Sequence, residues 1–299
     1  MNIDNIVSYF DGISCGQVAI NKAGIKYKNY FAFEIDKHAI NVTQDNYPNT
    51  IQMGSVVDAN LLDLPNIDLL IGGSPCQGFS QAGKKLDFDD PRSKLFFEYA
   101  KAKEQLKPKY FIYENVVPKN KEVIKIISDI LGVQPIMINS SLVSYQERKR
   151  LYWTNIKWVE QPKERNVFLK DIVGFESEIP EKSETIEEIK RFTKREFNVS
   201  ISKKGRVRPY RLDPKKSGIS EVGTLCNPND KSATIIASHA PKTYKSNPFK
   251  IYELNRNELE QGQNLPINYT KSISFPQAKK AIGNGWTVDI IAHFFGFIN

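Results

Sequence analysis

The stretch "IDLLIGGSPCQGFS", residues 67–80, decides how this chain folds. "IDLLIGG" is a continuous apolar run closed by a glycine pair, the pattern of a strand buried on both faces. Such strands belong to parallel sheets covered by helices, and open α/β sheets build their ligand sites just past the carboxyl ends of their strands. Cys76 sits at that place, between a proline and a glutamine. A structural core cysteine is the commoner reading of a lone thiol. The strand-end position and the loop after it instead favour an accessible thiolate.

Working outward, strands and helices alternate. "NIVSYF", "YFAFEID", "KYFIYENV", "QPIMIN" and "RLYWTNI" read as strands. Helices are expected from about Gln17 to Ala23, in "HAINVTQDNY", through "KLFFEYAKAKEQL" and in "KEVIKIISDIL". In the last of these, Val123, Ile126, Ile127 and Ile130 are expected on one helical face. Repeated strand–helix units predict a doubly wound, mostly parallel α/β sheet with helices on both sides. The regularity fades into charged, Gly/Pro-broken sequence between 159 and 250. The expected division is therefore a first domain from 1–158 and 251–299 and a smaller one from 159–250.

Composition narrows the class. Hydrophobic residues at 40% and charged residues at 25% describe a globular protein with ample core. No apolar run approaches the ~18 residues of a membrane span, and the N-terminus lacks the basic start of a secretion signal. Three scattered cysteines without a Cys-x-x-Cys pair, and three scattered histidines, predict neither disulfides nor a metal site. A reducing cytoplasm is the expected location. The net charge is +8, yet residues 190–216 alone hold eleven Lys/Arg against two acids. One local basic surface suits a phosphate backbone; on charge alone a solvated loop balancing the preceding acidic run accounts for it as well, and the aromatics and Gly/Pro breaks within the run tilt the reading towards nucleic acid.

Three further features carry chemistry. The turn "FDGISCG" after the first strand brings backbone amides near a helix N-terminus, and Glu34 ends the second strand where a carboxylate meets ribose hydroxyls. Each is weak alone; together they describe a nucleoside-containing cofactor site. Glu114-Asn115 closes the strand next to Cys76, which pairs a thiolate with a carboxyl acid across the top of the sheet. "QERKR", residues 146–150, puts Gln146, Arg148 and Arg150 at period two, suited to a base edge and phosphates or simply to a charged lead-in to a strand.

"PCQGFS", "ENV", "QERKR" and the terminal "AIGNGWTVDII" stand in the order found in the DNA cytosine-5 methyltransferases. The chain resembles that family over about residues 3–158 and 251–299. The match is closest to the animal de novo enzymes and their short bacterial and phage relatives. The resemblance implies S-adenosyl-L-methionine as methyl donor, leaving S-adenosyl-L-homocysteine, with double-stranded DNA as partner and neither metal nor membrane. Phe10, Asp11, Gly12 and Ile13 would hold the donor with Glu34, Ile35, Val56, Pro75, Leu95, Asn284, Gly285 and Trp286. The family's adenine-binding aspartate is missing from "MGSVVD". That role falls to Ser55, to Asp58 after a shift, or to neither. Cys76 matches the nucleophile, Glu114 the acid and Arg150 the base-oxygen contact, with Arg148 in support. Gln77 and Ser80, and Arg206, Arg208 and Arg211 of the basic stretch, are the DNA-contact candidates. A cognate restriction endonuclease is a candidate partner.

Two rivals come from other classes. A tRNA methyltransferase of this family would carry Cys-Phe-Thr in the second domain, where this chain has Cys226-Asn227-Pro228. A binder that lost the chemistry would not be expected to keep Cys76, Glu114 and Arg150.

Overall fold

The computed structural model describes residues 3–57, 59–75, 91–118, 120–193, 197–211 and 225–298. Cys76, Gln77, Ser80 and the rest of the loop to residue 90 therefore lie outside the described residues, as does Asp58. The side chain of Arg211 does too.

The first sheet has strands β1 (Asn5–Tyr9), β2 (Asn29–Phe33), β3 (Ile51–Gln52), β4 (Leu69–Gly72), β5 (Tyr110–Val116), β6 (Ile136–Asn139) and β7 (Lys149–Thr154). Their order is β3-β2-β1-β4-β5-β7-β6, with β1 to β5 parallel and β7 antiparallel to both its neighbours. The order reverses at β1, which pairs with β2 on one side and β4 on the other, and a crevice opens at that switch point. Helices α1 (Cys15–Lys22), α2 (Lys37–Asn46), α3 (Pro91–Leu106) and α4 (Lys121–Leu131) form the crossovers. Apolar clusters lie on both faces of the sheet, one around Ile6, Ile71 and Phe294, the other around Val7, Leu70 and Trp153. The strand "LLIG" of the apolar run is buried on both faces: Leu69, Leu70 and Ile71 are fully enclosed.

On helix α4 the buried strip is narrower than the apolar face read from the sequence: Val123 and Ile127 are buried with Leu131, spaced by four, while Ile126 is partly buried and Ile130, at the edge of that face, is exposed.

The chain continues through α5 (Lys170–Val173) and α6 (Lys182–Thr193) into a second sheet. Its strands are β8 (Phe197–Ile201), β9 (Val207–Arg211), β10 (Leu225–Cys226), β11 (Lys242–Lys245) and β12 (Lys250–Glu253), in the order β12-β11-β10-β9-β8. This sheet has its own small core of Ile189, Val199, Val207, Leu225, Tyr244 and Phe249. It ends at Glu253, three residues past the boundary expected from composition. Helices α7 (Arg256–Gly262), α8 (Phe275–Asn284) and α9 (Val288–Phe295) return to the first sheet, where α9 packs on α1. Among the described residues no helix is long and apolar enough to cross a membrane.

Candidate active site

The cleft begins in a tight turn after β1. Phe10, Gly12 and Ser14 all take left-handed backbone angles, φ 58°, 59° and 59°. For Phe10 and Ser14 that conformation is uncommon, and it is held by hydrogen bonds from Asp11 N to Phe33 O and from Ser14 N to Asp11 O. At Gly16 a Cβ would lie 2.5 Å from Ile71 Cδ1, so glycine lets α1 start directly against the sheet. Asp11 points beneath the turn, where Tyr30 Oη donates to it at 2.7 Å. Burial pushes its carboxyl up to about 6, opposed by the hydroxyls of Ser8, Tyr30 and Ser14. Burial likewise raises the Cys15 thiol to about 12, which removes it as a nucleophile.

Glu34 closes the turn from the end of β2. Its Oε2 accepts from Gly12 N at 2.8 Å, and its Oε1 accepts from Ile35 N and Asp36 N at 2.7 and 2.8 Å. Two carboxylate oxygens offer about four acceptor positions, so Oε2 keeps capacity for one more donor. Ile35 is 74% exposed although it faces a cleft of 740 Å³. Phe10, Gly12, Ile13, Glu34, Ile35, Ser55, Val56, Pro75, Leu95, Asn284 and Trp286 all line this cleft, while Asp11 and Gly285 lie behind its wall. Ser55 Oγ accepts from Val57 N at 3.0 Å, closing a local turn.

The far end of the cleft is formed by β5 and β7. Antiparallel register places Glu114 opposite Tyr152 and Val116 opposite Arg150. Arg150 Nε lies 3.0 Å from Glu114 Oε1, and Trp286 Nε1 donates to Glu114 Oε2 at 3.2 Å. Asn115 holds the segment that leads to Cys76: its Nδ2 reaches Tyr113 Oη at 2.9 Å and Ser74 O at 3.4 Å, and Ser74 Oγ pairs with Tyr113 Oη at 2.6 Å. A strand-end asparagine beside Glu114 was visible in the sequence; its anchoring role was not.

The "QERKR" reading needs correction at two positions. Strand β7 begins only at Lys149, so the alternation does not extend back to Gln146. Gln146 is fully buried, donating to Gly262 O and Gln263 Oε1 and accepting from Ile235 N. Arg148 is 4% exposed; its Nη1 donates to Ile235 O and its Nη2 to Gly283 O and Gly285 O. Burial, with Arg150 nearby, lowers its guanidinium to about 10, still charged at neutral pH. Arg150 alone of the three is aimed at Glu114. The glutamine-rich stretch before the terminal motif supplies the partners: Gln263 donates to Ile282 O and Gly285 O, and accepts from Thr287 Oγ1. This buried hub was not anticipated.

On the second sheet, Arg208 is exposed, while Arg206 lies 3.4 Å from Glu147 and donates to Lys231 O. Lys231, also unanticipated, is buried and donates to the carbonyls of Ser141, Ser144 and Val167, stitching the two parts of the chain together. Ile236, Ala237 and Ser238 also line the cleft.

A family model described as C-5 cytosine-specific DNA methylase matches residues 5–298. The orphan methyltransferase M.SPRI of Bacillus phage SPR is 38% identical over 113 residues, 37% of this chain and 26% of that protein. The type II methyltransferase M1.ScrFI of Lactococcus lactis subsp. cremoris is 41% identical over 111 residues, 37% of this chain and 28% of that protein. These matches thus span about a quarter of the curated relatives' length. Among solved structures, the Entamoeba histolytica methyltransferase EhMeth superposes with a TM-score of 0.73 at 15% identity, covering 99% of this chain and 98% of that one. The S. pombe Dnmt2 methyltransferase gives 0.64 at 16% identity, covering 98% and 97%. At such identities the likeness is one of fold.

Proposed function

The chain belongs to the C-5 cytosine-specific DNA methylases, and from that premise we propose that it methylates carbon 5 of a cytosine turned out of DNA, taking the methyl from S-adenosyl-L-methionine through a covalent adduct on Cys76. The observation that carries the reading is the Glu114–Arg150 pair, 3.0 Å apart at the strand ends beside the segment that leads to Cys76.

The residues present suit the donor. An exposed isoleucine facing a cleft beside a carboxylate with a free acceptor position offers an apolar face for a purine and a partner for a ribose hydroxyl. Phe10, Gly12, Ile13, Glu34, Ile35, Val56, Pro75, Leu95, Asn284 and Trp286 would hold it, with Ser55 near the adenine and with Asp11 and Gly285 supporting from behind. When bound, S-adenosyl-L-methionine supplies an electrophilic methyl group on a sulfonium and leaves as S-adenosyl-L-homocysteine.

Carbon 5 of cytosine is too weak a nucleophile to be methylated unaided. Cys76 thiolate adds to carbon 6 while Glu114 delivers a proton to ring nitrogen 3, and the resulting enamine concentrates electron density on carbon 5. Arg150 orients the Glu114 carboxyl and donates to the base oxygen; Arg148 holds the surrounding backbone. Once carbon 5 is methylated, its proton passes to water, the electron pair left behind expels the Cys76 thiolate, and the ring nitrogen 3 proton returns to Glu114. The base must leave the stack first, at about a few kcal/mol.

Residues 159–250, with the second sheet reaching Glu253, serve as the target-recognition part, and 1–158 with 251–299 as the catalytic part. Double-stranded DNA is held through Gln77 and Ser80 and by the basic stretch through Arg208 and Arg211. The cytoplasm is the setting, and relatives named type II methyltransferases favour a cognate restriction endonuclease as partner. The test is direct. Purified protein, donor and duplex DNA should yield 5-methyl-2′-deoxycytidine after nuclease digestion; methylation of another atom, or none, defeats the reading.

A further inference from the structure

Trp286 lines the same cleft as Phe10 and Gly12, and its Nε1 donates to Glu114 Oε2 at 3.2 Å. Its backbone is fixed from two directions. The preceding carbonyl, Gly285 O, accepts from Arg148 Nη2 at 2.9 Å and from Gln263 Nε2 at 3.2 Å, while the Trp286 amide faces the Cys15 thiol at the start of α1. A Cβ on Gly285 would lie 3.1 Å from Cys15 Sγ, so the close approach depends on glycine there. Gly73 is the second such position: a Cβ would sit 2.9 Å from Glu114 Oε2, 3.0 Å from Glu114 O and 3.2 Å from Trp286 Nε1, directly beside the hydrogen bond.

We propose that Trp286 is a positioning residue that couples occupancy of the donor side of the cleft to the orientation of the Glu114 carboxyl. This rests on the reading of Glu114 as the acid. The terminal torsion of a glutamate is broad, so its rotamer does not set the plane of the carboxyl group. Two donors on opposite oxygens do set it: Arg150 Nε on Oε1 and Trp286 Nε1 on Oε2. Arg150 is fixed by its strand. Trp286 is only partly buried and lines the cleft. A ligand packed against the indole there restricts the direction of the N–H and with it the carboxyl plane that meets ring nitrogen 3. Linkage makes the effect reciprocal: a base seated on Glu114 must favour the donor site by the same factor.

The experiment uses S-adenosyl-L-homocysteine and a duplex carrying the site mapped by bisulfite sequencing of methylated plasmid. Affinities are measured in both orders for the parent, Trp286→Phe and Gly73→Ala, with single-turnover rates at saturation. Trp286→Phe keeps the aromatic wall and removes the N–H; Gly73→Ala keeps the indole and crowds its acceptor. In the parent each ligand should tighten the other by roughly fivefold. In either variant that factor should fall towards one, and the saturated rate should drop by roughly two- to tenfold, the worth of one hydrogen bond. If Trp286→Phe is poorly folded, Gly73→Ala carries the same comparison. Parental coupling and rate in the variants, or a parent without coupling, overturns the proposal. A plasmid in which no methylated cytosine is found overturns instead the function on which the proposal rests.

Discussion

Arg206 Nη2 lies 3.4 Å from Glu147 Oε2, so one arginine of the basic stretch is held against the segment that carries Arg148 and Arg150. Glu147 is half-exposed, and a pair of this kind contributes no more than about 1 kcal/mol. Its value is geometric: it ties β9 to the segment leading into β7. The sequence alone counts Arg206, Arg208 and Arg211 as equivalent phosphate contacts, whereas only the Arg208 side chain is seen standing in solvent. Replacing Arg208 by alanine should flatten the log-log salt dependence of DNA affinity by about 0.9. Arg206→Ala should leave that slope unchanged. Equal flattening by both would show that Arg206 leaves Glu147 for phosphate.

Glu114→Gln keeps the shape of the side chain and its place beside Arg150 but cannot deliver a proton. Methyl transfer should fall by roughly two or more decades, with donor affinity nearly unchanged. Single-turnover rates and a donor titration on the same variant check both halves.

Arg148 fills three carbonyl acceptors with one buried guanidinium. Arg148→Met should leave Ile235 O, Gly283 O and Gly285 O without that donor and lower stability by at least about 2 kcal/mol. A denaturant titration reads this. An unchanged midpoint would mean that the hub around Gln146 and Gln263 is redundant.

These residues also mark where the sequence could and could not be read. The first sheet was legible because buried parallel strands such as Leu69–Gly72 are continuous apolar runs, and the helices between them repeat at their own period. The cleft was legible for the same reason, since strand ends bring Glu34 and Glu114 to one edge. The second sheet was not. Its strands are two to five residues long, three of the five carry charges, and β10 is joined to its neighbours by connections of 13 and 15 residues, so no local period betrays them. Gln146 was misread because a buried amide and a solvent-facing one look alike until their partners, Gly262 O and Ile235 N, are known.

Asp11 makes stability depend on pH. Its folded-state carboxyl is raised to about 6 by burial, while in the unfolded chain it returns to about 4. Between those values the folded state binds more protons than the unfolded one, so stability falls as pH rises through the window from about 4 to about 6 and is level above it. Asp11→Asn is neutral throughout and should remove this slope. Parallel thermal melts between pH 4 and pH 7 decide it: an unchanged slope in Asp11→Asn would assign the dependence to other groups.

The most direct test of the covalent account uses duplex DNA in which the target cytosine carries fluorine at carbon 5. Fluorine cannot leave as a proton does, so the adduct formed after methyl transfer has no route to expel Cys76. The account predicts a denaturant-stable protein–DNA complex that requires S-adenosyl-L-methionine, carries one added methyl group by mass spectrometry, and is absent in Cys76→Ser. A parent that methylates ordinary cytosine yet gives no such complex, or a Cys76→Ser variant that still forms it, would contradict the account.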